Sequence, residues 1–126
     1  MNQLYAAGLA LTAGLAWGAV AQAADATGGK ALFERTCANC HSIEVGVNKV
    51  GPTLFDIVDR PVASVQGHDY SNKMRAQGKQ HKAWSEKQLN AYLTNPREVL
   101  HGVKMYFAVP DAKDRADVIA YLNTLK

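Results

Sequence analysis

The chain has 126 residues, of which 48% are hydrophobic, and a formal charge of +3. That length makes one domain the expectation. The mild positive balance gives no case for a nucleic-acid partner and favours a negatively charged protein instead.

The N-terminal segment differs in kind from the rest, because every Lys, Arg, Asp and Glu lies at Asp25 or later. An apolar run from Leu4 through Val20 ends in Ala21-Gln22-Ala23, with small residues where a signal peptidase cuts. The reading is a signal peptide over residues 1–23, cleaved after Ala23, and a mature domain over residues 24–126. Met1-Asn2-Gln3 departs from the usual pattern in carrying no Lys or Arg. The alternative is an uncleaved anchor, because the run approaches the roughly 20 residues needed to cross a bilayer. A mature domain this short is marginal on side chains alone, and a cofactor filling its centre would change that balance.

Asp25 or Thr27 is placed to cap a first helix running through Lys30, Phe33 and Glu34. The helix leads into Cys37-Ala38-Asn39-Cys40-His41, which fits C-x-x-C-H, the haem attachment signature. At this spacing two thiols reach the two haem vinyl groups, and the imidazole that follows comes beneath the iron as proximal ligand. A redox dithiol is expected within a βαβ pattern, which is absent. A zinc site needs about four ligands, and there is no second Cys pair.

From His41 to Tyr70 no helical period persists, and Gly46, Gly51-Pro52, Pro61 and Gly67 punctuate the chain. A loop of this length usually has a function, here to wrap one edge of a haem. Met74 lies between Lys73 and Arg75, a polar setting that reads as a partly exposed gap-filler. Ser85 and Gln88 form a capping box for a helix with Leu89, Tyr92 and Leu93 on one face. Asn95 then caps a short turn with Pro96 at its first position. Met105 follows in Gly102-Val103-Lys104-Met105-Tyr106-Phe107-Ala108-Val109-Pro110, a loop bounded by Gly and Pro. A thioether there can lie against the open iron face, and Met ligation raises the potential. His68, His81 and His101 read as surface or cap residues. Asp111 starts a last helix with Val118, Tyr121, Leu122 and Leu125 at helical spacing and Lys126 at its end. With no strand alternation of note, the class is all-α.

Taken in order, these segments resemble class I cytochromes c, in particular mitochondrial cytochrome c and bacterial cytochrome c2. The similarity runs from about Gly29 to Leu122. It implies three main helices plus short helices and long loops wrapped around one covalent haem c, attached through Cys37 and Cys40. His41 and Met105 would be the axial iron ligands. Gly51-Pro52-x-Leu54 resembles the loop whose proline carbonyl orients the proximal histidine, so Pro52 would hold His41. Arg60, Tyr70 and Trp84 fall where the family holds the haem propionates. Tyr92 would lie near the methionine sulfur, and Phe107 in the ligand loop would line the cofactor. Arg115-Ala116-Asp117 through Leu122 matches a C-terminal helix crossing the first at Gly29, Phe33 and Tyr121. Between Tyr70 and Trp84 the chain is about three residues longer than the mitochondrial form, which reads as a surface insertion. The family's lysine ring is thin, with Thr36, Glu98 and Asp111 at matching positions, which implies weaker steering.

The resemblance implies a soluble periplasmic one-electron carrier, not an enzyme, and a monomer. A quinol–cytochrome c reductase-like complex would be the donor, and an oxidase or reaction centre the acceptor. Contact with a membrane would come only through those complexes unless the leader is retained. Docking should be brief, salt-sensitive and small in area. Alternatives are a haem subunit of a periplasmic dehydrogenase and, against the Met105 loop, a gas sensor or peroxidase.

Overall fold

The computed structural model describes residues 22–80 and 82–126. Most of the expected signal peptide, residues 1–21, and His81 lie outside the described residues.

Among the described residues five α-helices follow in chain order: α1 (Ala26–Thr36), α2 (Asn72–Lys79), α3 (Glu86–Thr94), α4 (Pro96–Val99) and α5 (Ala112–Asn123). Side chains stop four of them at the N-terminus by accepting an otherwise unpaired backbone N–H. The Asp25 carboxylate accepts from Thr27 N at 3.0 Å, Ser71 from Met74 N at 3.1 Å, Ser85 from Gln88 N at 3.2 Å and Asp111 from Asp114 N at 2.9 Å. Each such cap stabilises its helix by about 1 kcal/mol. Asn95 departs from expectation. It occupies the N-cap of α4, but its side chain makes no capping bond. Its backbone carbonyl takes the Glu98 and Val99 N–H groups instead, and Pro96 at the first position needs no partner.

α1 and α5 cross where neither has a side chain in the way. A Cβ on Gly29 would stand 1.9 Å from the Asp117 carbonyl oxygen, so only glycine permits this approach. One turn further on, the Phe33 and Tyr121 rings meet at 5.6 Å between centroids. Around them Leu32, Ile57, Val58, Leu89, Leu93, Val109, Val118, Ile119 and Leu122 form the main core. A second cluster joins Val62, Met74, Tyr92 and Val103. Trp84 and Met105, both half-buried, pack against both clusters.

Met74 therefore corrects the sequence reading, because it is buried, not a partly exposed gap-filler. The stretch after Tyr70 lies on the surface as α2, which turns Met74 inward while Lys73 and Arg75 stay in solvent. Polar sequence neighbours misled because helical neighbours on one face are three or four positions apart. Gly78, four positions on, sits where a Cβ would come 2.6 Å from the Val62 carbonyl oxygen. The Ser71 cap was the available signal.

The loop from His41 to Tyr70 is held by scattered backbone bonds, among them Gly51 N–H to Cys40 O at 2.8 Å and Trp84 N–H to Arg60 O at 2.9 Å, and by side chains. Asn48 accepts from Thr53 N at 3.0 Å and donates to Gln66 O at 2.9 Å. The buried Thr53 hydroxyl donates to Glu44 O at 2.7 Å and accepts from Phe55 N at 3.2 Å. These bonds satisfy backbone groups that a long irregular segment would otherwise leave unpaired. At the C-terminus, Lys126 lies beyond the end of α5. It donates to Val58 O at 3.2 Å, and the Leu125 carbonyl takes the Asp56 N–H at 2.7 Å.

Candidate haem site

α1 runs directly into a single 3-10 turn, Cys37–Asn39. The turn is closed by Cys40 N and His41 N, both donating to the Cys37 carbonyl at 3.1 and 3.0 Å. The two thiols are free, with Cys37 half-buried and Cys40 exposed. Burial pushes the Cys37 thiol above its ordinary pKa. Lys49 closes the far side of the turn by donating to Ala38 O at 2.6 Å.

His41 Nδ1 lies 2.7 Å from the Pro52 carbonyl oxygen. A carbonyl can only accept, so Nδ1 carries the proton and the lone pair is on Nε2. Burial, chiefly, holds the imidazole below its ordinary pKa, which keeps the ring neutral and able to ligate metal. The ring lies against the backbone of Gly51, where a Cβ would come 2.3 Å from His41 Cε1. Gly51 thus carries a role that the sequence alone did not single out: its missing side chain is the seat of the imidazole.

Met105 lies in a loop plugged at both ends by buried valines, Val103 in the smaller cluster and Val109 in the main core. The Val109 N–H donates to Leu93 O at 2.7 Å, tying the loop to α3. The Tyr92 ring meets Trp84 at a tilt of 57°, with ring centroids 4.9 Å apart. Burial pushes the Tyr92 phenol up to about 12, so it stays a hydrogen-bond donor at neutral pH. Tyr106 and Phe107 are exposed, and the Arg97 guanidinium lies 4.9 Å from the Tyr106 ring centroid.

Arg60 and Tyr70 complete the set. Arg60 Nη1 donates to Phe55 O at 2.7 Å, while its Nε is buried with no acceptor among the described residues. The Tyr70 hydroxyl accepts from Val65 N at 3.1 Å, so its own proton is free to donate. His68 stands edge-on to Tyr70 at 4.6 Å. It is half-buried, where the sequence suggested a surface or cap residue, whereas His101 is exposed.

Two free thiols, a neutral imidazole with its second nitrogen open and a thioether between two buried clusters form a donor set suited to haem. The unpaired Arg60 Nε suits a propionate carboxylate, because a guanidinium fork matches carboxylate geometry. An all-helical domain with this turn defines a class I c-type cytochrome.

A profile of the cytochrome c family matches residues 26–126. The chain is 43% identical over 103 residues to cytochrome c of Euglena viridis, an alignment covering 81% of this chain and 98% of that one. It is 45% identical over 103 residues to the cytochrome c-type cyt cy of Rhodobacter capsulatus, covering 80% of this chain and 49% of that protein. Its fold is similar to that of cytochrome c2 from Rhodospirillum centenum, with a TM-score of 0.75 and 32% identity. That match covers 81% of this chain and 98% of the other. The chain belongs to the cytochrome c family. It carries haem c attached through Cys37 and Cys40, and it is a haem electron carrier, not an enzyme.

Proposed function

We propose that the chain is an exported, diffusible one-electron carrier of the periplasm, made with a signal peptide cleaved after Ala23. Its partners are a reductase that supplies electrons and an oxidase or reaction centre that removes them. When bound, haem c supplies one iron that accepts and releases a single electron. His41 through Nε2 and Met105 through its sulfur would hold that iron. The observation that carries this reading is the fixed His41 ring, with Nδ1 on Pro52 O at 2.7 Å and Gly51 beneath it. A second-shell acceptor of this kind fixes tautomer and ring orientation. Arg60 and the Tyr70 hydroxyl supply donors for the propionates, with Trp84 packed beside them, and Tyr92 brings a neutral phenol toward the Met105 side. Phe107, exposed in the ligand loop, would line the bound cofactor. Retaining both ligands in both oxidation states would keep rearrangement small, and burial with Met ligation would hold the potential high. Among the described residues no helix is long and apolar enough to cross a membrane.

The test is the optical spectrum of the ferric and ferrous protein, for wild type and Met105→Ala. The expected wild type is low-spin with a weak far-red sulfur-to-iron band that the variant lacks. A wild type without the band, or one that binds carbon monoxide readily when ferrous, transfers the case to a sensor or peroxidase.

One observation favours a second reading, a haem subunit of a periplasmic dehydrogenase. Val45 and Val50 are 72% and 80% exposed in the loop that closes on the Cys turn. Gel filtration of the protein from its native extract separates the two: a carrier elutes alone, and a subunit elutes with its enzyme.

A further inference from the structure

We propose that Arg115 is a positioning residue for the axial methionine loop, seating Met105 from its C-terminal side. The proposal rests on the reading of Met105 as ligand. A thioether is a weak acceptor, and among the described residues no group donates a hydrogen bond to the Met105 side chain. Its place is therefore set by the backbone on either side. On the N-terminal side, Lys104 bonds the Asp69 carboxylate and carbonyl, each at 3.0 Å. That pair is in solvent, with the two side chains 62% and 83% exposed, where salt and water weaken it.

The C-terminal side is built differently. Arg115 Nη1 donates to Val109 O at 2.9 Å and to Pro110 O at 2.6 Å, while its Nε donates to Asn90 Oδ1 at 2.9 Å. One guanidinium thus joins the end of the loop to both α3 and α5. The same Val109 donates its N–H to Leu93 O on α3, so both backbone groups of this buried residue are fixed. These contacts tie Arg115, on α5, to the end of the loop and to α3. A lysine cannot reproduce them, because its donors radiate from one point instead of forming a planar fork.

The test uses the haem-loaded protein with Arg115→Lys, Arg115→Ala and, as the exposed comparison, Asp69→Asn. Denaturant titration follows the far-red sulfur-to-iron band and the far-ultraviolet helical signal together, and amide exchange is read at Val109 N–H. In Arg115→Lys the band should be lost at lower denaturant than the helical signal, and Val109 exchange should quicken by about tenfold or more, the scale of a lost charge-assisted bond. Asp69→Asn should leave the two transitions together. Should the band and the helical signal fall together in both Arg115 variants, Arg115 is merely structural and the proposal is overturned. Unchanged Val109 exchange overturns it as well. A wild type that never shows the band refutes the Met105 reading instead, and Val109 exchange then still reports on the Arg115 contact.

Discussion

His41 donates through Nδ1 to the carbonyl of Pro52 at 2.7 Å, with the α-carbon of Gly51 directly under its ring. The acceptor is backbone, so its presence does not depend on the proline side chain. The seat beneath the ring, in contrast, depends wholly on residue 51 having no Cβ. Gly51→Ala would place that atom 2.3 Å from Cε1 and 2.7 Å from Nδ1, forcing the imidazole to tilt or the turn to open. Overpacking of this kind costs about 1–3 kcal/mol. The expected result is a lower thermal midpoint together with a perturbed low-spin ferric spectrum, both read on the haem-loaded protein. An unchanged spectrum would count against the seat.

Gly29→Ala should be worse, because the atoms it meets are backbone on the facing helix. The new Cβ would lie 1.9 Å from Asp117 O and 2.4 Å from its carbonyl carbon, so α1 and α5 must separate. The loss should reach or exceed the upper end of the ~1–3 kcal/mol range for overpacking, measured by denaturant unfolding. Gly28→Ala is the natural comparison. Its Cβ would meet only side-chain oxygens at 3.1 and 3.3 Å, and alanine favours the helix by about 1 kcal/mol. A near-neutral result is expected there.

Asp117 is buried and accepts from Lys113 Nζ at 2.6 Å and from Asp25 N at 2.8 Å. The Lys113 hydrogen bond, chiefly, holds its carboxyl below the ordinary carboxylate range, and the same bond raises Lys113. A carboxylate with a lowered folded pKa stabilises the protein above its unfolded value. That contribution disappears as pH falls from about 4 through the folded value. The Lys113 share is present below the unfolded lysine value near 10.4 and is lost as pH rises through the raised one. Asp117→Asn should therefore lower the melting temperature at pH 7, and the gap from wild type should close in acid below about pH 4. A gap that persists unchanged there assigns the effect to packing.

Arg60 combines one satisfied donor with one buried donor that has no partner among the described residues. Burial, chiefly, lowers its pKa from the ordinary value, but arginine keeps its charge at any ordinary pH. Arg60→Ala leaves the Phe55 carbonyl without its donor, a loss of about 1–3 kcal/mol. If Arg60 lies beside the haem as proposed, the variant also removes a cation there, which favours the ferric form, so the reduction potential should fall. Voltammetry checks the direction, and Arg60→Lys should recover part of the potential. An unaltered potential in Arg60→Ala would remove Arg60 from the cofactor's surroundings.

Features carried by neighbours in sequence were readable from the chain alone. Cys37, Cys40 and His41 fall within one turn, and Asp25, Ser85 and Asp111 cap the residues two or three positions after them. The all-helical class followed from the same local spacing. Met74 departs from its sequence reading for the converse reason, and Asn95 takes the expected N-cap place but without a side-chain bond. Whether a methionine between two cations is buried depends on what α2 packs against, and whether an asparagine caps depends on the rotamer its surroundings allow.

The attachment chemistry and the helical class could be read from sequence because bond lengths and helical periodicity act over a few residues. Tertiary structure decided the rest: that Gly51 seats the His41 ring, that Gly29 meets Asp117 and that Arg115 reaches Val109. Those relationships join residues distant in sequence. They arise only when two hydrophobic clusters close on each other and bring backbone groups within hydrogen-bond range.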